Sequence, residues 1–416
     1  MENESLNFKE IVRANSQLGK IQDIDILLEQ LLLMSRRMAG ADAGSIYVRK
    51  NAAGGYESLG NSNELLIRYA QNDTRQSRLP PGEKQEYSLF SLPINKDSVA
   101  GCCAYTGELI NISDVYNIPA GAPYSFNSNF DKLTGYKTTS SLTFPLTAED
   151  KVLGVIQLIN KLDKNKNVIA FSEEDELVLT NFALSAAAAM QKAYITRAMI
   201  IRMIRLAELR DPAETGNHVN RVAQYSVEIY DRWAYKKNIP HNERTVFRDS
   251  LRIGAMLHDV GKVAISDRIL KKPGRFTDDE FIAMKEHTLY GAGLFHDALS
   301  PVDNVAMEIA LTHHENWDGT GYPGWVDPVT RAGIKTGENG LPAGKKGEEI
   351  PLSGRIVAVA DVYDALSSKR VYKESWKEGA VLDEMRKLSG TRFDPEIIDI
   401  FFEVLPIIKR ATSMYS

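Results

Sequence analysis

The chain has 416 residues, which is too long for one ordinary hydrophobic core and indicates two domains. Hydrophobic residues make up 43% and charged residues 25%, a composition that excludes a disordered or fibrous protein. The net charge of −5 disfavours a nucleic-acid polymer or an anionic membrane as partner.

The cysteines and the apolar segments indicate the cellular compartment of the protein. The two cysteines, Cys102 and Cys103, are neighbours, which rarely pair, so a reducing compartment is indicated. The start MENESLNFKE is polar and unlike a signal peptide. No run of about 18 apolar residues occurs. We therefore expect a cytoplasmic protein with no membrane partner.

Helix and strand patterns alternate through the first half. Residues 22–40 have the period of an amphipathic helix, residues 43–50 and 64–71 alternate like strands, and residues 72–98 are polar and loop-like. A short helix and a strand follow in SVAGCCAYTGELINISDVY. Residues 140–161 then predict a strand, a turn and a second strand. The order predicts an α+β domain with a mostly antiparallel sheet and helices at both ends.

A long helix is predicted after these strands. In SEED, Ser172 is a capping residue with an acid three positions later. The run LVLTNFALSAAAAMQKA carries small residues that allow close helix packing. The helical pattern continues through residues 191–210, until Asp211 and Pro212 stop and restart it. We expect a parallel homodimer through this helix.

The first half resembles a GAF domain over residues 20–190. The resemblance is carried by SSLTFPLTAEDKVLGVIQLINK, Asn160-Lys161, Phe171 and Asp175-Glu176. The pattern of Asn160-Lys161, Phe171 and Asp175-Glu176 resembles a sequence motif of GAF domains that bind cyclic nucleotides. Alternatively, Lys161 and Asp175 form an ion pair between a strand end and a helix start, which we favour because a fold does not fix its ligand. The resemblance implies a sensor with an unidentified small ligand.

The second half is predicted to be a helical bundle with ligands projecting inward, interrupted by a Gly- and Pro-rich loop at residues 318–353. All seven histidines of the chain lie after residue 210. This distribution indicates that histidine chemistry belongs to the second half. The predicted organisation is therefore an N-terminal segment, a sensor domain, a linker helix and a catalytic domain, with bounds 1–19, 20–190, 191–210 and 211–416.

Imidazoles and carboxylates in apolar surroundings are the candidate metal ligands. His258 and Asp259 follow Ala255, Met256 and Leu257 on a predicted apolar helix, where polar groups are costly unless they are paired or bind metal. A set without thiolate suits Fe, Mn, Zn or Co, and eight groups imply two or three ions. The set comprises Glu214, His218, His258, Asp259, His287, His313, His314 and Asp361.

Three residues of this region have a simpler alternative interpretation. Glu214 and His218 are four residues apart on one helix face, a spacing that is more often a solvated pair. Lys262 is either a phosphate contact or a solvated lysine at a helix end. His287 is predicted on a helix that begins with a capping box at Thr277 and Glu280.

The second half resembles the HD-GYP branch of the HD hydrolases. The segments on which this resemblance rests are LHDVGK, KKPGRFTDDEFIAMKEH, HHENWDGTGYP and GEEIPLSGRIVAVADVYDALSSKRVYK. The resemblance implies a phosphodiesterase that converts cyclic di-GMP to pGpG, GMP or both. It assigns the eight groups above to two or three metal ions, most often iron with manganese as the alternative, and Glu214 to a third ion.

The resemblance also implies roles in catalysis and substrate binding. Asp259 would bridge the metals, and Lys262 would offset charge on the phosphate. The implied substrate contacts are Lys262, Gly321, Tyr322, Asp364, Arg370 and Lys373.

Residues 326–344 depart from the HD-GYP pattern. VDPVTRAGIKTGENGLPAG is longer than the usual connection and is either a lid or a surface insertion. Two rival functions remain open, a cyclic di-GMP receptor with weak catalysis and an HD hydrolase of another cyclic dinucleotide such as cyclic GMP-AMP.

Overall fold

The structure is a computed structural model that describes residues 12–51, 61–80, 90–210, 216–337, 340–368 and 376–412. It divides into two compact units, Met1–Ala198 and Met199–Ser416. Among the described residues, no helix combines the length and the apolar character that a bilayer crossing requires.

The first unit contains a seven-stranded antiparallel sheet. The strands follow the order β3-β2-β1-β6-β5-β4, with β7 paired to β6. They are β1 (Ala41–Arg49), β2 (Glu64–Asn72), β3 (Ser91–Pro93), β4 (Ile110–Ile112), β5 (Ser141–Ala148), β6 (Lys151–Leu162) and β7 (Val168–Ile169). The predicted α+β architecture of the first half is confirmed.

Side-chain alternation gives the sheet two buried faces. In β1, Ile46 and Val48 join one hydrophobic core, whereas Tyr47 between them joins the other. Between β5 and β6, Glu149 and Asp150 form the turn with positive φ angles of 49° and 61°. The predicted strand–turn–strand unit is confirmed.

Helices cover both faces of the sheet. They are α1 (Ile24–Ala39), α2 (Asp73–Gln76), α3 (Val99–Thr106), α4 (Asn129–Thr134) and α5 (Glu173–Glu208). The start of α5 is fixed by the predicted cap, since Ser172 N donates to Asp175 Oδ2 over 2.7 Å and Asp175 N donates to Ser172 Oγ over 3.3 Å. Asp175 also pairs with Lys161, as predicted for an ion pair between a strand end and a helix start.

The described part of the second unit consists of helices and connecting loops. The helices are α6 (Gly216–Lys236), α7 (His241–Met256), α8 (Asp267–Leu270), α9 (Asp278–Lys285), α10 (His287–Gly293), α11 (Pro301–Thr312), α12 (Leu352–Ser367), α13 (Glu378–Lys387) and α14 (Pro395–Thr412), with 3₁₀ turns at Val260–Ala264 and Gly347–Glu349. Helix α12 is central, because every residue of Ile356–Ala360 is buried. The predicted helical domain is confirmed.

Two local predictions for this unit are wrong in detail. His258 and Asp259 lie in the turn that follows α7, not within a helix. The capping box at Thr277 and Glu280 is present, but its helix ends at Lys285, and His287 begins the next helix. Both differences place ligand side chains at helix ends, where the backbone direction changes.

The insertion at residues 326–344 closes on itself through backbone hydrogen bonds. Ile334 N donates to Trp325 O over 2.7 Å, and Ala343 N donates to Lys335 O over 2.8 Å. On the outside, the Arg331 guanidinium lies 4.3 Å from the centre of the Tyr290 ring on α10. The two ends of the insertion are therefore joined by hydrogen bonds, and Arg331 contacts helix α10.

Candidate metal centre

Seven of the eight predicted ligands are described, and the structure brings them together from separate elements. Each lies at a helix end or on a helix that faces the same interior point. They are His218 near the start of α6, His258 and Asp259 after α7, His287 at the start of α10, His313 and His314 after α11, and Asp361 on α12. Glu214 lies outside the described residues.

A glycine allows two of these elements to meet. A Cβ atom on Gly261 would lie 2.0 Å from His287 O and 2.4 Å from Gly291 N. The 3₁₀ turn after Asp259 therefore packs backbone to backbone against α10. This close approach places the His258–Asp259 turn beside His287, and a larger residue would force the two elements apart.

The ligand atoms form two neighbouring groups with Asp259 between them. Asp259 Oδ1 lies 3.1 Å from His287 Nε2, and Oδ2 lies 3.2 Å from His258 Nε2. Asp361 Oδ1 lies 3.5 Å from His218 Nε2 and 4.0 Å from His258 Nε2. Within each group, one atom per residue lies within 4.8 Å of the others, in Asp259, His287, His313 and His314, and in His218, His258 and Asp361.

Backbone carbonyls fix the orientation of three of the imidazoles. Nδ1 of His258, His287 and His313 lies 2.8, 2.7 and 2.9 Å from a backbone carbonyl oxygen of its own chain segment. Because a carbonyl only accepts, Nδ1 carries the proton in each neutral ring. The Nε2 lone pair is then free to point at the centre, which is the arrangement of a metal-binding histidine.

Several buried atoms at the centre lack a hydrogen bond. Among the described residues, Nε2 of His218, His287 and His313 and Oδ1 of Asp259 have no such partner. Two acceptors, His287 Nε2 and Asp259 Oδ1, face each other 3.1 Å apart, which is unfavourable without a cation between them. The donor set therefore fits divalent metal ions.

Protonation at the centre also suits metal binding. Burial lowers the pKa of His313, and burial together with the neighbouring His313 holds the pKa of His314 well below its usual value. Burial alone would raise the pKa of Asp259, but Lys262 and His258 outweigh it and hold that pKa well below the usual value. At His313 and His314 the neutral imidazole is thus favoured, and at Asp259 the charged carboxylate, which are the forms that bind metal.

Asp364 has contacts that differ from the predicted substrate contact. Its side chain is 1% exposed, and it lies 2.7 Å from His218 Nδ1. Arg221 donates to both of its oxygens, over 2.7 and 2.9 Å. Burial alone would raise the pKa of Asp364. The hydrogen bonds with His218 and Arg221 outweigh burial and lower this pKa to about 2. Asp364 therefore orients His218, and its predicted contact with substrate stays a prediction.

Arg221 was missed by the sequence analysis, although its position offered a signal. It lies three residues after His218 and therefore on the same face of α6. Its partner, Asp364, is on α12, and only the fold brings the two helices together.

The loop after His314 is held by a second residue that the sequence analysis missed. Glu315 is buried and accepts from Gly324 N over 2.6 Å and from Lys345 N over 3.3 Å. A Cβ atom on Gly321 would lie 2.2 Å from Asn316 N, so Gly321 is required by packing of the loop. Adjacency to the two histidines was the available signal for Glu315.

Tyr322 lies over the centre in this loop, and its peptide bond to Pro323 is cis. Its ring stacks on His314 with centroids 4.9 Å apart, and Lys285 Nζ lies 5.1 Å from the ring centre. Tyr322 therefore borders the ligand set at a position where a planar base could stack.

A cavity of about 290 Å³ opens beside the centre. Lys262, which donates to Asp259 over 2.7 Å, lines it. The other lining residues are Asp259, His314, Asp361, Val362, Ala365, Leu366 and Arg392. The predicted contacts Arg370 and Lys373 lie outside the described residues.

Family comparisons define the class of each unit. The GAF domain family matches residues 23–190, and the HD domain family matches residues 215–366. The first unit also resembles the GAF domain of an Acinetobacter phosphoenolpyruvate-protein phosphotransferase, with 16% identity, 46% of this chain and 96% of that chain covered, and a TM-score of 0.32. The chain combines a GAF domain with an HD domain.

Curated relatives match about half of the chain. A probable cyclic di-GMP phosphodiesterase of Vibrio cholerae is 40% identical over 210 residues, covering 49% of this chain and 43% of the relative. A cyclic di-GMP phosphodiesterase of Thermotoga maritima is 39% identical, covering 50% and 49%. A 3′3′-cGAMP-specific phosphodiesterase of Vibrio cholerae is 36% identical, covering 50% and 34%. The matches span less than half the length of these relatives.

Proposed function

We propose that the HD domain is a metal-dependent phosphodiesterase that hydrolyses cyclic di-GMP. The observation that carries the proposal is the convergence of five imidazoles and two carboxylates in two adjoining groups. The orphaned acceptor atoms at its centre indicate a cation site rather than a set of salt bridges. The names of the relatives at 39–40% identity support the substrate class.

Two or three transition-metal ions would be held by these residues, with iron the preferred metal and manganese the alternative. Imidazole and carboxylate ligands without thiolate suit both metals. The group with Asp259 would hold one ion and the group with His218 another. Glu214 would contribute to a third, as the family resemblance implies.

The chemistry would be hydrolysis of a phosphodiester. Neighbouring divalent ions, when bound, activate water near neutral pH and stabilise charge on phosphate oxygens. Asp259, between the two groups, would hold the ions close together. Lys262 would offset charge on a substrate oxygen, and Tyr322 would stack on a base. Successive cuts would give pGpG and then GMP.

A second candidate substrate is cyclic GMP-AMP. It is favoured by the relative named a 3′3′-cGAMP-specific phosphodiesterase, which is 36% identical over 208 residues. Both substrates carry two phosphodiester bonds, so the same metal chemistry would serve. The third alternative, a receptor with weak catalysis, would bind the dinucleotide at the same centre without rapid turnover.

Anaerobic reconstitution with single metals would test the proposal. Iron- or manganese-loaded protein should cleave cyclic di-GMP, and chromatography should show pGpG or GMP. Asp259→Ala should lose both metal and turnover, whereas Asp383→Asn on the exposed surface of α13 should lose neither. Full activity in metal-depleted Asp259→Ala protein would end the proposal. Turnover of cyclic GMP-AMP alone would select the second candidate.

The domain limits and the sensor role are part of the proposal. We place the N-terminal segment at residues 1–19, the GAF sensor at 20–190, the linker helix at 191–210 and the catalytic domain at 211–416. The GAF domain would bind a small ligand and regulate hydrolysis. A small-molecule library screened by thermal shift on the full chain would show a ligand as a raised melting temperature.

Dimerisation is proposed through α5. Met199, Met203 and Leu206 are exposed and follow one another at intervals of four and three residues, the spacing of a coiled-coil seam. In the first unit, Leu177 and Leu184 are also exposed and lie seven residues apart on the same helix. A second copy of the chain, with its own α5 alongside, would cover these side chains.

A further inference from the structure

The cavity beside the metal centre has an arginine on its wall that the mechanism above does not use. Asp259, Lys262, His314 and Asp361 belong to the centre or adjoin it. Arg392 comes from a separate segment, the turn between α13 and α14. It reaches the same cavity only because the fold brings that turn beside the centre.

Backbone hydrogen bonds hold Arg392 in place from two sides. Its own N–H donates to Leu388 O over 3.0 Å, which closes the turn. Its carbonyl accepts from Trp317 N over 3.1 Å, and Asp318 N donates to Thr391 O over 2.9 Å. The turn is thereby tied to the loop that carries Tyr322, so the position of Arg392 is pre-organised.

The residue that follows Arg392 anchors the turn in the core. Phe393 is 1% exposed and belongs to the hydrophobic core of the bundle. Asp394 accepts from Arg355 over 2.7 Å and from Glu396 N over 2.9 Å. The backbone at Arg392 is therefore held in one position before a ligand binds.

The charge of Arg392 is not offset within the described part of the chain. There, its guanidinium makes no ion pair or side-chain hydrogen bond, and its contact is with the Phe393 ring at 5.8 Å. Lys262, by contrast, donates to Asp259 over 2.7 Å. Arg392 therefore places a positive charge at the cavity. The N–H groups of its guanidinium are available to donate paired hydrogen bonds to a phosphate.

The apolar side of the cavity limits what else could fill it. Val362, Ala365 and Leu366 of α12 form this side. A ligand must therefore present an anion to Arg392 and a less polar surface, such as a ribose or a base, to α12. A cyclic dinucleotide has both, because its ring joins two phosphates through riboses.

We infer that Arg392 binds the phosphate of the cyclic dinucleotide that is not being cleaved, an inference that rests on the proposed function. While one phosphate is held at the metal centre, the guanidinium would donate two hydrogen bonds to the non-bridging oxygens of the other. Arg392 would thus select substrates with a second phosphate at a fixed distance from the cleaved one.

The test compares metal-loaded wild type, Arg392→Gln and the surface control Arg386→Gln, whose arginine is 59% exposed. Arg392→Gln should lower kcat/KM for cyclic di-GMP about 10- to 100-fold, with most of the change in KM. Hydrolysis of bis(p-nitrophenyl) phosphate, which has one phosphate, should be unchanged. Arg386→Gln should match the wild type on both substrates.

Measuring the Kd for cyclic di-GMP distinguishes failure of this inference from failure of the proposed function. If the wild type binds cyclic di-GMP without cleaving it, the proposed activity fails, and the Kd of each variant still tests Arg392. An unchanged Kd and kcat/KM in Arg392→Gln would overturn the inference, as would an equal loss with bis(p-nitrophenyl) phosphate. A loss for cyclic di-GMP that spares the binding of cyclic di-AMP would indicate a base contact and would also overturn it.

Correct folding is checked by metal content and melting temperature. Should Arg392→Gln not fold, Arg392→Lys carries the test, since it keeps the charge but replaces the planar fork with a single ammonium. An intermediate loss of affinity supports the phosphate contact, and unchanged affinity for cyclic di-GMP contradicts it.

Discussion

Among single residues, His218 depends on a buried carboxylate, Asp364, for its orientation. Arg221 holds both oxygens of Asp364, and Asp364 lies 2.7 Å from His218 Nδ1. This chain of contacts fixes the ring so that Nε2 faces the centre. A carboxylate in this position raises the basicity of the imidazole as well as orienting it.

Asp364→Asn tests this role. The change leaves the largely buried Arg221 charge without its partner and should lower the free energy of unfolding by about 3–5 kcal/mol. Metal affinity should fall about 10- to 100-fold. Denaturant unfolding and metal titration measure the two effects, and Asp383→Asn, 81% exposed, is the control. Unchanged metal affinity would show that Asp364 does not orient a ligand.

The same residue predicts an acid dependence of stability. The pKa of Asp364 is about 2 in the folded protein against an ordinary 3.8, so the charged form is favoured by folding. Its stabilising effect is therefore fully present above pH 3.8 and is lost as the pH falls towards 2. The difference in unfolding free energy between wild type and Asp364→Asn should shrink over that interval.

At the scale of elements, Gly261 decides how closely the turn after α7 approaches α10. A methyl group there would meet the backbone at His287 O and Gly291 N. The two elements carry Asp259 and His287, whose facing atoms are 3.1 Å apart. Their separation therefore controls the geometry of the centre.

Gly261→Ala should cost about 1–3 kcal/mol of stability through overpacking. It should also reduce metal content, because the turn and α10 must separate. The matched change is Gly379→Ala on α13, where an added Cβ meets nothing within 4 Å. Thermal melts and elemental analysis would be compared, and equal behaviour of the two variants would contradict the packing argument.

The exposed side of α5 predicts the oligomeric state. Met203→Glu with Leu206→Glu should convert a dimer to a monomer in sedimentation velocity, because charges would replace the apolar seam. Arg205→Glu, on an adjacent exposed side of the same helix, should leave the dimer intact. A wild type that sediments as a monomer at all concentrations would remove the dimer proposal.

At the scale of the whole molecule, metal binding should appear as stability of the chain. Ions that bind only the folded chain stabilise it against unfolding, so chelation should lower the melting temperature. At a metal concentration 1,000 times Kd, the stabilisation lost would be about 4 kcal/mol. Calorimetry with and without chelator measures it, and Asp259→Ala should not respond. A melting temperature unaffected by chelation of the wild type would argue against a resident metal.

Features that depend on near neighbours along the chain were predictable from the residues alone. Strand alternation around Ile46, the caps at Ser172 and Thr277, and the apolar run before Asp361 are set by residues a few positions apart. The concentration of histidines after residue 210 also predicted which half carries the ligands. Local periodicity and burial cost suffice for such inferences.

Which polar groups meet across the core depends on the packing of helices that are distant in sequence. Asp364 lies 143 residues from Arg221 along the chain, yet their side chains are bonded. The packing of Gly261 on α10 and the entry of Arg392 into the cavity likewise depend on how helices cross. Spacing along a chain gives the direction of a side chain on its own element, but the distance between elements follows from the packing of the whole core.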